Sequence, residues 1–399
     1  MRLVVVGLGQ CGGRLADEFA RLGKKARSSR GIDIVPSAYA VNTDQADLAG
    51  LRTIAPDFQH RILIGGRKTG GHGVGKINEV GAAVARADSY KIIDAVRTSE
   101  RFYETAAFLL IAGTAGGTGS GAMPIIAQAL KERYANKAVY CLAVLPFTHE
   151  EATEERAVYN VATCLKSAFS VSDAIIVCDN ERFLKRDANL MNNMQRINHE
   201  IVEPFFDLLC AGEEVKRSHI GAKVVDTGDI MQTMEGWTAL GVGTSVLPRF
   251  NWWPPWKLRT FRQKGRETQR GLEAVDQAMS ELSVAVNPKD AGKALYMLSA
   301  PSKEMNVALV RELGGVMREM AEDAVIRSGD YPRPGREVSV TLLFSRLNNV
   351  DRLKDAYKEA AGSTSSIRKR QMEAQMRLKE MDEIAEGLPS LFDDPRPPT

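Results

Sequence analysis

The stretch Gly113-Thr114-Ala115-Gly116-Gly117-Thr118-Gly119-Ser120-Gly121 constrains this chain more than any other, because it holds five glycines in nine positions. An apolar run, Ala106 to Ala112, precedes it and a helical pattern, Ala122 to Arg133, follows, so the order is strand, loop, helix. Glycines let a backbone approach a ligand closely, and the helix behind them offers unpaired N–H groups to an anion. Thr114, Thr118 and Ser120 would add hydroxyl donors. The stretch is no Walker loop, since no lysine follows until Lys131. The alternative is a glycine-rich packing turn.

Other segments repeat the strand-then-glycine order. Leu3 to Val6 leads into Gly7-Leu8-Gly9-Gln10-Cys11-Gly12-Gly13 and the amphipathic Arg14 to Leu22. Taken alone this is a dinucleotide fingerprint, which wants an acidic residue about 20 positions on. The next strand, Ala38 to Val41, instead ends in Asn42-Thr43-Asp44. Ile62 to Ile64 opens Gly65 to Gly75, six glycines in eleven positions, where Arg67 and Lys68 offer positive charge. Tyr140 to Leu145 ends at Pro146-Phe147-Thr148-His149-Glu150-Glu151, and Ala174 to Cys178 ends at Asp179-Asn180. A helical pattern from Leu190 to Leu209 carries Asn198. Asp226 and Asp229, at i, i+3, share one face of a helix start; they can position a water or simply cap the helix.

Length and charge limit what such a chain does. With 399 residues, 44% of them hydrophobic, it can bury two cores, and a net charge of +3 is too mild to imply nucleic acid. The five cysteines form no C-x-x-C pair and sit among apolar neighbours, which predicts reduced core thiols and a cytoplasmic protein. The apolar run after Met1-Arg2 is too short for a signal peptide, and no membrane span is expected. Pro248 to Gly271 holds Trp252, Trp253 and Trp256 with seven basic residues against the single acid Glu267. Such chemistry suits a protein contact, an anionic membrane or single-stranded nucleic acid, or an aromatic mini-core. Val338 to Phe344 alternates as a strand, Ser365 to Glu386 is a charged helix with a/d spacing, and Pro389 to Thr399 reads as a disordered tip.

In this order the motifs resemble the tubulin and FtsZ superfamily of GTPases over roughly residues 1–345. Gly113 to Gly121 is similar to the GGGTGSG signature, with Ala115 in place of a glycine, and Gly9-Gln10-Cys11-Gly12 is close to the tubulin wording. Gly71-His72-Gly73-Val74-Gly75 resembles the archaeal CetZ branch. Pro146 to Glu150 resembles the Pro-Phe-x-x-Glu-Gly loop of FtsZ, though Glu151 stands where glycine is usual and Arg156 falls two positions late.

The resemblance implies an α/β fold: a parallel-sheet GTP-binding domain (1–189), a central linking helix (190–212), a smaller α+β activating domain (213–346) and a charged helical tail (347–399). It implies GTP or GDP held by Gly9, Gln10, Cys11, Gly12, Asn42, Asp44, Gly71, Gly73, Gly113, Gly116, Gly117, Thr118 and Gly119, with Glu150 at the ribose and Asn180 and Asn198 at the guanine. Gln10 would stand nearest Mg²⁺. Asp226 and Asp229 would complete the site of the next subunit in a head-to-tail filament, with the tryptophan loop making lateral contacts or meeting a membrane. Nucleic acid is not expected as a partner, and a role in cell shape or division is. The alternatives are an FtsZ-type division-ring protein, a nucleotide-binding scaffold that does not hydrolyse, and an NAD-binding oxidoreductase, which would leave Gly113 to Gly121, Asn180 and Asn198 unused.

Overall fold

The computed structural model describes residues 1–184, 190–216, 219–247 and 261–385. Trp252, Trp253 and Trp256 lie outside the described residues, as does the proline-rich tip. The strands are β1 (Leu3–Leu8), β2 (Ser37–Asn42), β3 (Arg61–Leu63), β4 (Ala107–Gly113), β5 (Ala138–Leu145), β6 (Ala174–Asp179), β7 (Gly236–Val246), β8 (Ala291–Ala300), β9 (Val325–Pro332) and β10 (Glu337–Leu347). The helices are α1 (Gly9–Arg30), α2 (Gln45–Ala49), α3 (Gly66–Thr69), α4 (Asn78–Arg97), α5 (Thr118–Arg133), α6 (Thr148–Thr153), α7 (Glu155–Phe169), α8 (Leu190–Ala211), α9 (Thr227–Thr233), α10 (Phe261–Ser280), α11 (Val307–Met320) and α12 (Asp351–Ala385).

Apolar runs without polar alternation force the sheet into the middle of three layers. In β1, Val4, Val6 and Leu8 enter one core while Leu3 and Val5 enter the other, and β4 divides Phe108, Leu110 and Ala112 from Ala107, Leu109 and Ile111 in the same way. The first core is covered by α4, α5, α7, α10, α11 and the first turns of α12, the second by α1, α2, α8 and α9. All strands join one sheet in the order β3-β2-β1-β4-β5-β6-β7-β10-β8-β9. It is parallel from β3 through β7. β10 then runs antiparallel to β7 and β8, and β9 is parallel to β8. The expected α/β fold with a smaller mixed second part is thus present, on one continuous sheet. All five cysteines are free, four of them buried.

Two helices start earlier than their patterns predict. α1 begins at Gly9 and α5 at Thr118, so glycines expected in loops instead open helices. Glu150 and Glu151 lie in α6 and Glu155 opens α7, with Glu154 between the two helices. α4 and α5 approach at backbone distance: a Cβ built on Gly121 would lie 2.2 Å from Asn78 O, and one on Gly81 2.3 Å from Gly117 O.

Two glycines inside helices therefore answer oppositely to the same change. Gly121→Ala should cost about 1–3 kcal/mol through the clash with α4. Gly315 in α11 has nothing within 4 Å of its Cβ position, so Gly315→Ala should stabilise by up to ~1 kcal/mol. Chemical denaturation of the two variants checks both signs.

Candidate functional site

Several helices cap their own first N–H groups: Asp44 caps α2, Asp226 caps α9 and Asn306 caps α11. α1 and α5 do not. They follow Leu8 and Gly117, with no side-chain cap and no acid in the first turn. Their starts meet, since Gly9 adopts a left-handed φ of 71° and a Cβ there would lie 3.0 Å from Gly119 N. Two sets of free N–H groups, with the positive ends of two helix dipoles, thus open on one cleft of about 530 Å³ at the carboxyl ends of β1, β4 and β5.

Most of the residues predicted for nucleotide binding line this cleft: Gly9, Gln10, Cys11, Asn42, Asp44, Gly73, Gly113, Gly116, Gly117, Thr118, Gly119, Glu150, Asn180 and Asn198. Gly12 and Gly71 do not. A Cβ on Gly12 would lie 2.0 Å from Ile111 O, so that glycine seats α1 on β4. Gly71 braces its loop, its carbonyl accepting from Gln45 N at 3.0 Å. The hydroxyls are also redirected. Thr114 Oγ1 donates to Val144 O at 2.9 Å, Ser120 Oγ donates to Gly116 O, and Thr118 Oγ1 bonds Thr43 Oγ1 at 2.6 Å. The threonines and serine tie the loop down, and backbone N–H groups are left as its donors.

Sequence reasoning missed Arg14, Asp47, Lys76, Glu154 and Met194, which also line the cleft. Asp47 accepts from Gln10 Nε2 at 2.6 Å and from Asn42 Nδ2 at 2.9 Å, so one carboxylate orients both predicted amides. Its signal in the sequence was its place three residues after the cap Asp44. Lys76 ion-pairs with Glu154. The lysine has a positive φ of 59°, and its carbonyl accepts from Asn160 Nδ2 at 2.9 Å, which also donates to Ala115 O at 2.8 Å. Buried Asn160 thereby joins the two glycine loops; nothing in its sequence context marks it. Lys68 is exposed and does not line the cleft, and the side chain of Arg67 lies outside the described atoms. Arg156, a phosphate candidate by sequence, pairs with Glu79 away from the cleft. Desolvation against the cleft wall pushes the half-buried Cys11 thiol up to about 12, so it stays protonated and adds no negative charge beside the open helix starts.

Asp226 and Asp229 stand elsewhere. They cap each other's backbone: Asp229 N donates to Asp226 Oδ1 at 2.7 Å, Asp226 N donates to Asp229 Oδ2 at 3.4 Å, and Arg327 Nε lies 3.3 Å from Asp229 Oδ1. A Cβ on Gly212, just past α8, would lie 3.3 Å from Asp226 Cα. Asn198 is in the cleft near the middle of α8, and at 1.5 Å per residue the fourteen residues from there to Gly212 rise about 20 Å. The carboxylates are therefore far from the cleft of their own chain.

The Tubulin/FtsZ family, GTPase domain, matches residues 2–187. Tubulin-like CetZ, C-terminal domain, matches residues 187–362. The tubulin-like protein CetZ1 of Haloferax volcanii is 32% identical over 385 residues, which cover 92% of this chain and 93% of that protein. CetZ of Pyrococcus abyssi is 27% identical over 401 residues, covering 99% and 98%. Among solved structures, CetZ1 from H. volcanii as a GDP-bound monomer has a TM-score of 0.77 at 29% identity, covering 91% of this chain and 100% of that one. CetZ2 from H. volcanii as a GTPγS-bound protofilament has a TM-score of 0.78 at 26% identity, covering 92% and 100%. Sheet order, paired open helix starts and these likenesses agree: this chain belongs to the tubulin/FtsZ family of cytoskeletal GTPases, among its CetZ-like members.

Proposed function

We propose that this protein binds GTP in the cleft, assembles head to tail with copies of itself, and hydrolyses the nucleotide at the junction between subunits. The observation that carries the reading is the pair of uncapped helix N-termini facing one cleft. Phosphate oxygens would accept from the N–H groups of α1 and α5, and Glu150 would take the ribose. Asn180 and Asn198 would read the guanine edge, where an amide left unpaired in a buried site costs about 1–3 kcal/mol. Among the described residues no group of three or more His, Cys, Asp or Glu could hold a metal. That fits Mg²⁺, which is held through phosphates and a few protein oxygens rather than an all-protein cage. Gln10, oriented by Asp47, would face it. The ion would supply charge neutralisation for phosphoryl transfer.

The separation of Asp226 and Asp229 from their own cleft supports a heterologous contact in which they reach the cleft of the next subunit and orient the attacking water. Filaments of this kind would act in the cytoplasm in cell shape or division. The stretch of Trp252, Trp253 and Trp256 is assigned to lateral contacts or to an anionic membrane surface. A second reading, a scaffold that binds nucleotide without hydrolysis, is favoured by the mutual capping of Asp226 and Asp229, which occupies both carboxylates.

Competition binding should show a strong preference for GTP over ATP; equal affinity would remove the base-reading role from Asn180 and Asn198. Turnover per subunit should rise steeply with protein concentration, and Asp226→Ala should keep nucleotide affinity while losing turnover. In a mixture, Asp226→Ala and Gly117→Val, whose side chain would strike Val74 and Ile77, should recover activity that neither has alone. A cap role alone predicts about 1 kcal/mol lost with turnover retained.

A further inference from the structure

Glu151, the residue that departs from the glycine of the resembling motif, has no part in the reading above, yet it is the least exposed member of an ion-pair network. Its Oε1 lies 2.7 Å from Arg352 Nη2, and Nε of the same guanidinium lies 3.4 Å from Asp179 Oδ2. The side chains are 10%, 20% and 12% exposed respectively. Glu151 directly follows Glu150 and Asp179 directly precedes Asn180, and both neighbours line the cleft. Arg352 lies in the first turn of α12, whose Leu353, Ala356 and Ala360 are buried in the core that α7 also enters. The start of α6 and the turn after β6 are joined a second time by Glu181 Oε2, which accepts from Thr148 N and Thr148 Oγ1 at 3.1 Å each. Only the first of these links runs through the C-terminal helix.

We propose that Arg352 is a positioning residue of the nucleotide cleft, holding α6, which carries Glu150, and the turn after β6, which carries Asn180, at their mutual spacing, so that docking of α12 and occupancy of the cleft are linked. Remove the guanidinium and two sheltered carboxylates face each other uncompensated. Their repulsion is relieved by moving α6 and the end of β6 apart, which displaces the adjacent Glu150 and Asn180. Linkage is reciprocal: a ligand that fixes Glu150 and Asn180 also holds the guanidinium and with it the start of α12. This rests on the cleft being a guanine-nucleotide site.

The test measures GDP affinity of the full chain. Arg352→Met should weaken GDP binding about tenfold, and Arg352→Lys, which keeps the charge but cannot serve both carboxylates, should fall between. Adding Glu151→Gln to Arg352→Met should restore most of the lost affinity, because one of the opposed charges is gone. Hydrogen exchange over residues 351–360 should slow on GDP binding in the wild type and not in Arg352→Met. Wild-type GDP affinity in Arg352→Met, or a loss that Glu151→Gln does not relieve, would overturn the proposal and leave Arg352 as a docking contact of α12. A wild type that binds neither GDP nor GTP would instead overturn the nucleotide reading itself.

Discussion

Two helix N-termini without side-chain caps, brought to within van der Waals contact of each other, are the arrangement on which the rest of this structure depends. A helix start leaves four N–H groups unpaired, and elsewhere in the chain Asp44, Asp226 and Asn306 satisfy some of them. At α1 and α5 they stay open, and the positive ends of two dipoles add there. The closeness is possible only because Gly9 and Gly119 lack side chains. A binding site made of backbone must be held rigid by something else, and the hydroxyls of Thr43, Thr114, Thr118 and Ser120 spend their hydrogen bonds on that.

The second constraint is the length of α8. It packs through Ile197, Ile201, Phe205 and Leu209 into the core beneath the sheet. Its spacing sets Asn198 in the cleft and leaves Asp226 and Asp229 about 20 Å away. A rigid spacer of this kind separates the group that binds from the groups proposed to act. On the proposed reading, a complete site would be a property of an assembly rather than of one chain.

A third element, the C-terminal helix, is more closely tied to the cleft than a charged tail would suggest. α12 enters the same core as α7, and its Arg352 reaches Glu151 and Asp179, the immediate neighbours of the cleft residues Glu150 and Asn180. Burial raises the Glu151 carboxyl above its ordinary value despite that partner, which is the mark of a charge placed where water is scarce. Nucleotide-binding and C-terminal parts thus meet through ion pairs as well as through the continuous sheet.

Much of this was legible in the residues. Apolar runs at Leu3, Ala106, Tyr140 and Ala174 determined buried parallel strands, and the glycines after the first two determined that bare backbone would line the cleft. Local pattern suffices there, because strand burial and glycine geometry are properties of neighbours in sequence. Asn180 and Asn198 were found through their place in a motif order. What was not legible depends on partners distant in the chain. That Gly12 seats a helix while Gly9 faces the cleft, that Asp47 aims Gln10 and Asn42, and that Asn160 joins two loops are set by contacts across the sheet ends. The same holds for Glu151, an anomaly in its own motif and an ion-pair partner only once Arg352, 201 positions on, is folded against it. Sequence decided which segments could hold an anion; tertiary packing decided which side chains meet there, because hydrogen bonds and ion pairs depend on separation in space and not along the chain.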